Sequence, residues 1–176
     1  MLFRSGIFRD LHIHDLDLVA WICESPIESI FATRTIRGPG AYAEFNDGDI
    51  TRIVATTQSG VIASIEGARH DARGHDVRME VHGSADSVGT GYTSRTPLHV
   101  IDEDAVHVDD RPYTGFIDRF RDAFRSETNR FVGVIQGAPN PSPPNQALAA
   151  LKAAIACEVS DRTGATVQVD DIADDE

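Results

Sequence analysis

From Leu11 to Glu24 the chain is apolar around most of a helical wheel, with Leu16, Leu18, Val19, Ala20, Trp21, Ile22 and Cys23 in succession. That run predicts a helix buried among other elements, with Asp10 as its N-cap and Pro26 as its stop. The period then changes. "IESIFATRTI", beginning at Ile27, alternates as a strand does before the turn signal "GPG" at Gly38 to Gly40. "DITRIVATTQ" and "GVIASIEGAR" meet at Ser59 and Gly60 and predict a hairpin. "DVRMEVHG" and "DSVGTGYTS", around a turn near Ser84 to Asp86, and then "PLHVI", extend an antiparallel sheet through the middle third.

The helical period returns at Phe116, Phe120 and Phe124, joined by Ile117, Phe131, Val134 and Ile135, with Asp118, Arg121, Asp122 and Arg125 on the other side. This predicts one amphipathic helix ending near Gly137. A loop, "APNPSPPN", leads through Ser142, Pro143 and Pro144 into a second helix marked by Leu148, Leu151, Ile155 and Val159, with Gly164 as its stop. "ATVQVDDI" closes the pattern as a short strand. The order predicts an α+β fold, helices packed on one face of a largely antiparallel open sheet. With 176 residues, 41% of them apolar, and no internal repeat, one domain over 1–176 is expected.

Charge narrows the partners. A net charge of -12, with acid gathered in "DDIADDE", argues against nucleic acid or an anionic membrane and leaves a neutral small molecule as the better fit. The start "MLFRSGIFRD" lacks a signal-peptide core, and no apolar run approaches ~18 residues, so a soluble, cytoplasmic chain is expected. Cys23 and Cys157 sit in apolar helical patterns without paired spacing, which predicts reduced, structural thiols.

The chemistry gathers in "RDLHIHDLDLVAW". On a helix Asp10, His14 and Asp17 stand at i, i+4 and i+7 and share a face that Leu18 and Trp21 continue. A carboxylate one turn from an imidazole holds its tautomer and favours the imidazolium formed on taking a proton, which is a general-base arrangement. A capping or core-edge histidine is the plainer alternative. His12 and Asp15 fall on other faces and are weaker candidates. "HIH" is also a strand-end metal spacing, but the barrel that uses it needs ~250 residues and further ligands, so no metal is expected.

"GIFRDLHIHDLDLVAWI", "GARHDARGHDVRMEVHGSADSV" and "RTPL" followed by "FIDRFRDAFRSETNRFV" closely resemble the substrate-binding half of inositol dehydrogenases. These belong to the glucose-fructose oxidoreductase, inositol dehydrogenase and rhizopine-catabolism (Gfo/Idh/MocA) family. The resemblance implies a substrate-binding and catalytic half of an NAD- or NADP-dependent dehydrogenase that oxidises a secondary alcohol of an inositol-like cyclic polyol or sugar. It implies His14 as base, Asp10 as its orienter and Asp17 as support. It also places Arg73 and His75 near the polyol, where the family's Tyr-Gly-Tyr-Asp is here Arg73-Gly74-His75-Asp76.

Family members carry an N-terminal nucleotide-binding domain, and the fingerprint it needs is missing. "GPGAYA" has no third glycine and lies between predicted strands, and "GTGYTS" sits inside one. The family's interdomain lysine has no counterpart either, since the single lysine, Lys152, lies in the late helix. The expectation is a chain that begins about one strand into the second domain, with the nucleotide-binding domain as a missing partner. Homo-oligomerisation through the outer sheet face is implied as well, with Ile53, Ala55 and Thr57 beside Ile62, Ser64 and Glu66 on that face. The alternative is a non-catalytic binding or oligomerisation domain of the same fold.

Overall fold

The computed structural model describes residues 6–38, 40–71, 74–97 and 111–173. In chain order the elements are a π-helical turn (Phe8–His12), α1 (Ile13–Ile22), β1 (Ile27–Thr35), α2 (Ala41–Glu44), β2 (Ile50–Thr57), β3 (Ile62–Ala68), β4 (Met79–His82), β5 (Ser87–Thr90), α3 (Phe116–Arg119), α4 (Arg121–Ile135), α5 (Pro144–Thr163) and β6 (Val167–Gln168). They gather in two compact units, one from 1–69 with 141–176 and one from 70–140. The mixed helical and antiparallel architecture is the one the pattern predicts.

In the first unit the strands run β3-β2-β1-β6, every pair antiparallel. Period-2 alternation sends Ile30 and Ala32 of β1 and Thr51, Ile53, Ala55 and Thr57 of β2 to one buried face. Against β1 lies α5, whose Ala150, Ala153, Ala154, Ala156 and Cys157 are buried. Small side chains let the helix backbone approach the sheet closely, and α1 then packs on α5. Each isoleucine so buried contributes about 1.5–3 kcal/mol. Gly60, at φ 86°, makes the hairpin turn between β2 and β3, and Gly164, at φ 68°, closes α5 in the left-handed conformation.

Four expectations are corrected here. The outer sheet face is not that of Ile53, Ala55 and Thr57, which are buried toward the helices; the register pairs Arg52 with Glu66, Val54 with Ser64 and Thr56 with Ile62, so these form the outer face. A one-residue error of phase moves a whole strand to the other side. Asp10 is not an N-cap, because the helix begins upstream with the π turn. Nor is α1 buried all round, since Trp21 is 66% exposed. Finally, the "GPG" segment leads into a four-residue helix, α2, before β2 begins.

The second unit holds a separate hairpin, β4 with β5, paired Met79 to Thr90 and Val81 to Val88. The expected continuous sheet is therefore two sheets. The single amphipathic helix is also two, α3 and α4, broken at Phe120, where φ is -108° and ψ 20°. Its apolar positions do not bury: Phe131 is 64% and Ile135 70% exposed. Arg95 ties this unit together, reaching Asp118 at 2.6 Å and stacking 4.1 Å from the Tyr113 ring centre. Of "PLHVI" only Pro97 falls within the described residues.

Candidate functional site

The π turn decides which way the opening stretch faces. Phe8, His12 and Leu16 are buried, while Asp10, His14 and Asp17 are exposed. The face shared by Asp10, His14 and Asp17 is therefore solvent-facing, continued by Trp21 and, in part, by Leu18. Among the described residues His14 makes no side-chain hydrogen bond or ion pair. Asp10 does not bond His14; its carboxylate takes the Arg69 guanidinium at 2.7 Å. Arg69 bridges onward to the buried Asp47 at 2.8 Å. Asp47 in turn accepts the Ile7 and Gly48 backbone N–H groups, each at 2.9 Å, so the start of the helix, the end of β3 and the loop before β2 are tied to one carboxylate. A charge this deep is tolerated only when its oxygens are so satisfied.

His12 occupies the opposite side of the helix from His14. Its ring is fully buried, with Nδ1 2.8 Å from Asp15 Oδ2 and Nε2 2.5 Å from Thr51 Oγ1 on β2. Gly67 on β3 makes room for it, since a Cβ there would lie 2.5 Å from His12 Cε1. The residue that pattern reasoning set aside is thus the more elaborately held of the two histidines. Its signal was present in the sequence: a histidine at an apolar-face position between Phe8 and Leu16, with an acid three residues on. Arg69 and Asp47 carried no such local signal, being brought together across 22 positions by the fold. The two histidines of "HIH" point to opposite sides of a helix and do not converge on one ion.

Of the loop candidates, Arg73 lies outside the described residues. His75 belongs to the second unit. Its backbone N–H donates to Tyr113 O at 2.7 Å, and its ring meets Phe120 edge-on at 5.9 Å between centroids. Burial, and next the positive charge of Arg119, hold its ring below the ordinary 6.5, with Asp76 opposing. Nε2 is buried and has no hydrogen-bond partner among the described residues. A neutral ring with a spare polar nitrogen is equipped to meet a hydroxyl.

Cys157 is buried in α5, and burial pushes its thiol up to about 12. Both cysteines are free. Among the described residues no helix is long and apolar enough to cross a membrane.

Comparison with known proteins agrees with this architecture. Residues 2–88 match the family model of the GFO/IDH/MocA C-terminal domain. The chain is 31% identical to an inositol 2-dehydrogenase of Rhizobium meliloti over 84% of its own length and 44% of the relative's. It is 27% identical to scyllo-inositol 2-dehydrogenase (NAD(+)) of Bacillus subtilis over 94% of the chain and 48% of that protein. The crystal structure of a probable dehydrogenase from Thermotoga maritima superposes with a TM-score of 0.85 at 26% identity, over 96% of this chain and 50% of that one. The chain thus spans about half the length of the curated relatives it matches. It belongs to the GFO/IDH/MocA family, whose C-terminal domain it carries.

Proposed function

We propose that this chain is the substrate-binding and catalytic half of an NAD- or NADP-dependent dehydrogenase acting on a secondary alcohol of an inositol-like polyol or sugar. The observation that carries the proposal is His14: an exposed imidazole without a side-chain partner among the described residues, on the same helix face as Asp10 and Asp17, in a chain of this family. His14 takes the hydroxyl proton as general base, with Asp10 and Asp17 on the same helix face. Arg69 holds Asp10 in place through their ion pair. The resemblance makes Arg73 and His75 the further candidates for binding hydroxyls, His75 with an Nε2 that has no hydrogen-bond partner among the described residues.

The nicotinamide, when bound, supplies the hydride acceptor. The described residues do not fit its pyrophosphate: the one glycine-rich turn that follows a strand and opens a helix leads into α2, of only four residues, and Gly91, at φ 90°, ends the β4–β5 hairpin. A nucleotide-binding domain in the rest of the enzyme is therefore the partner this reading requires. The test joins this chain to that domain. His14→Ala should lower polyol turnover by roughly two to four orders of magnitude with NADH binding unchanged, and Asp10→Asn should act in the same direction. Unchanged turnover in His14→Ala would remove the base.

A second reading, a domain that serves assembly alone, draws on the outer sheet face, where Phe31 is 41%, Val54 45% and Ile62 71% exposed. Homo-oligomerisation through this face is compatible with both readings. An oligomer that persists in a joined enzyme with no polyol turnover would favour the second.

A further inference from the structure

α4 is a helix with an apolar stripe and no cover. None of its residues, Arg121–Ile135, is buried, and among the described residues no other element packs along it, whereas α5 lies against β1 and α1 against α5. Its sequence is nevertheless that of a packed helix. Phe124, Phe131 and Ile135 fall within roughly 40° of arc, with Asp122, Ser126 and Asn129 on the opposite side. Phe116 and Ile117 of α3 extend the exposed patch, Phe116 meeting Phe124 edge-on at 6.3 Å between ring centres. A helix of 15 residues is marginal in water and owes its stability to packing of its apolar face, so this face is built to be covered.

We propose that α4 is a self-association surface, on which two copies of this chain pair antiparallel about a two-fold axis near Glu127 and Thr128. Three features select a second copy as the cover. Phe120, Phe124, Phe131 and Ile135 follow at intervals of four, seven and four, which read the same from either end. An antiparallel copy therefore meets the stripe in register, Phe124 over Phe131 of the other copy and Phe120 over its Ile135, as a two-fold contact requires. Charge agrees with this register. Glu127 and Arg130 lie on one flank of the stripe and make no ion pair among the described residues; the two-fold brings Glu127 of each copy beside Arg130 of the other, so the contact is made twice. Arg121, Arg125 and Arg130 outnumber Asp122 and Glu127 on α4, so the net charge of -12 is not gathered here. The area suffices too. Phe116, Ile117, Phe124, Phe131, Val132 and Ile135 together expose on the order of 600 Å², close to the ~800 Å² per partner of a stable interface once polar flanks are added. This surface belongs to the second unit and shares no residue with the outer sheet face of the first.

Sedimentation velocity of the full chain over a range of micromolar concentrations tests the proposal. The chain should associate reversibly, and Phe131→Asp should weaken that association by roughly tenfold or more. Ile62→Asp, on the outer sheet face, should remove any association through that face and leave this one. A chain that stays monomeric, or one whose association survives Phe131→Asp, overturns the proposal. Charge exchange gives a readout that misfolding cannot imitate and that serves should Phe131→Asp fail to fold. Glu127→Arg and Arg130→Glu should each associate more weakly than the wild type when alone, because like charges then meet across the axis, and an equal mixture of the two should recover wild-type association as a mixed pair. A mixture no stronger than its components overturns the antiparallel register and the proposal with it. The nucleotide-binding domain of a matched inositol 2-dehydrogenase supplies the remaining arm. Capture of that domain by a monomeric chain, weakened by Phe131→Asp, would give the helix face to it and overturn self-association.

Discussion

His12 and His14 are two residues apart and have opposite fates. The difference is one of phase, since a residue on the buried stripe with Phe8 and Leu16 must find polar partners inside, and one on the opposite stripe meets solvent. The spacing showed that Asp10, His14 and Asp17 share a face, but not that this face is turned outward. It did not show that Asp10 turns to Arg69, because that pairing spans 59 positions and depends on how β3 ends. Gly67 tests the inward side. Gly67→Ala would place a Cβ 2.5 Å from His12 Cε1 and 2.8 Å from Leu11 Cδ2, so the variant should lose about 1–3 kcal/mol in urea unfolding, the usual result of overpacking. Wild-type stability in that variant would mean that the ring is not lodged against β3. At neutral pH a thiol reagent should modify the partly exposed Cys23 and leave Cys157, buried and with its thiol pushed up to about 12, until the chain unfolds. Two fast-reacting thiols by mass mapping would contradict this.

At the scale of elements, α5 does more than cover the sheet. β6 pairs with β1 only at Ser29 and Ile30. Beyond that point two side chains of α5 take over the edge of β1: Ser160 Oγ accepts the Ala32 N–H at 2.9 Å, and Asp161 Oδ1 accepts the Arg34 N–H at 2.8 Å. Ser160 Oγ also donates to Ala165 O at 2.7 Å, so one buried hydroxyl joins strand, helix and the chain beyond the helix. Ser160→Ala leaves a buried N–H unpaired and should cost about 1–3 kcal/mol. Hydrogen exchange at Ala32 is the direct check, expected to quicken while exchange in the β2–β3 pair keeps its ratio to global unfolding. The helices and most strands were legible because period and turn chemistry are local. The break at Phe120 was not, because the four-residue spacing of phenylalanines runs straight through it. The inward phase of β2 was misread for a similar reason: "ITRIVATT" has threonine on both faces, and only burial distinguishes them.

In the second unit, pH acts through His75. Its ring is held below 6.5 chiefly by burial, so the fold favours the neutral form. A depressed value contributes stability that is present above the unfolded value and lost as pH falls toward the folded one. Below pH about 6.5 the contact of His75 N–H with Tyr113 O should therefore open more often, and its amide exchange should exceed the intrinsic pH trend. Exchange that follows the intrinsic trend down to pH 5 would mean that the ring charges without strain.

At the scale of the whole molecule, half the length of the relatives falls outside the match, and the proposed reaction needs a hydride acceptor for which the described residues offer no dinucleotide site. A dinucleotide is recognised by backbone N–H groups at the start of a full-length helix behind a parallel strand. Every strand pair described here is antiparallel. The two long helices begin without such a site, α4 after the break at Phe120 and α5 with Pro143 and Pro144, and prolines bring no N–H to a phosphate. The net charge of -12 opposes a dinucleotide's phosphates as well. The chain by itself should therefore show no NADH binding by calorimetry, whereas the joined enzyme should bind it whether or not His14 is present. A micromolar dissociation constant for the isolated chain would place a nucleotide site within these 176 residues. The division of labour proposed here, with the cofactor on one domain and the proton on the other, would then have to be abandoned.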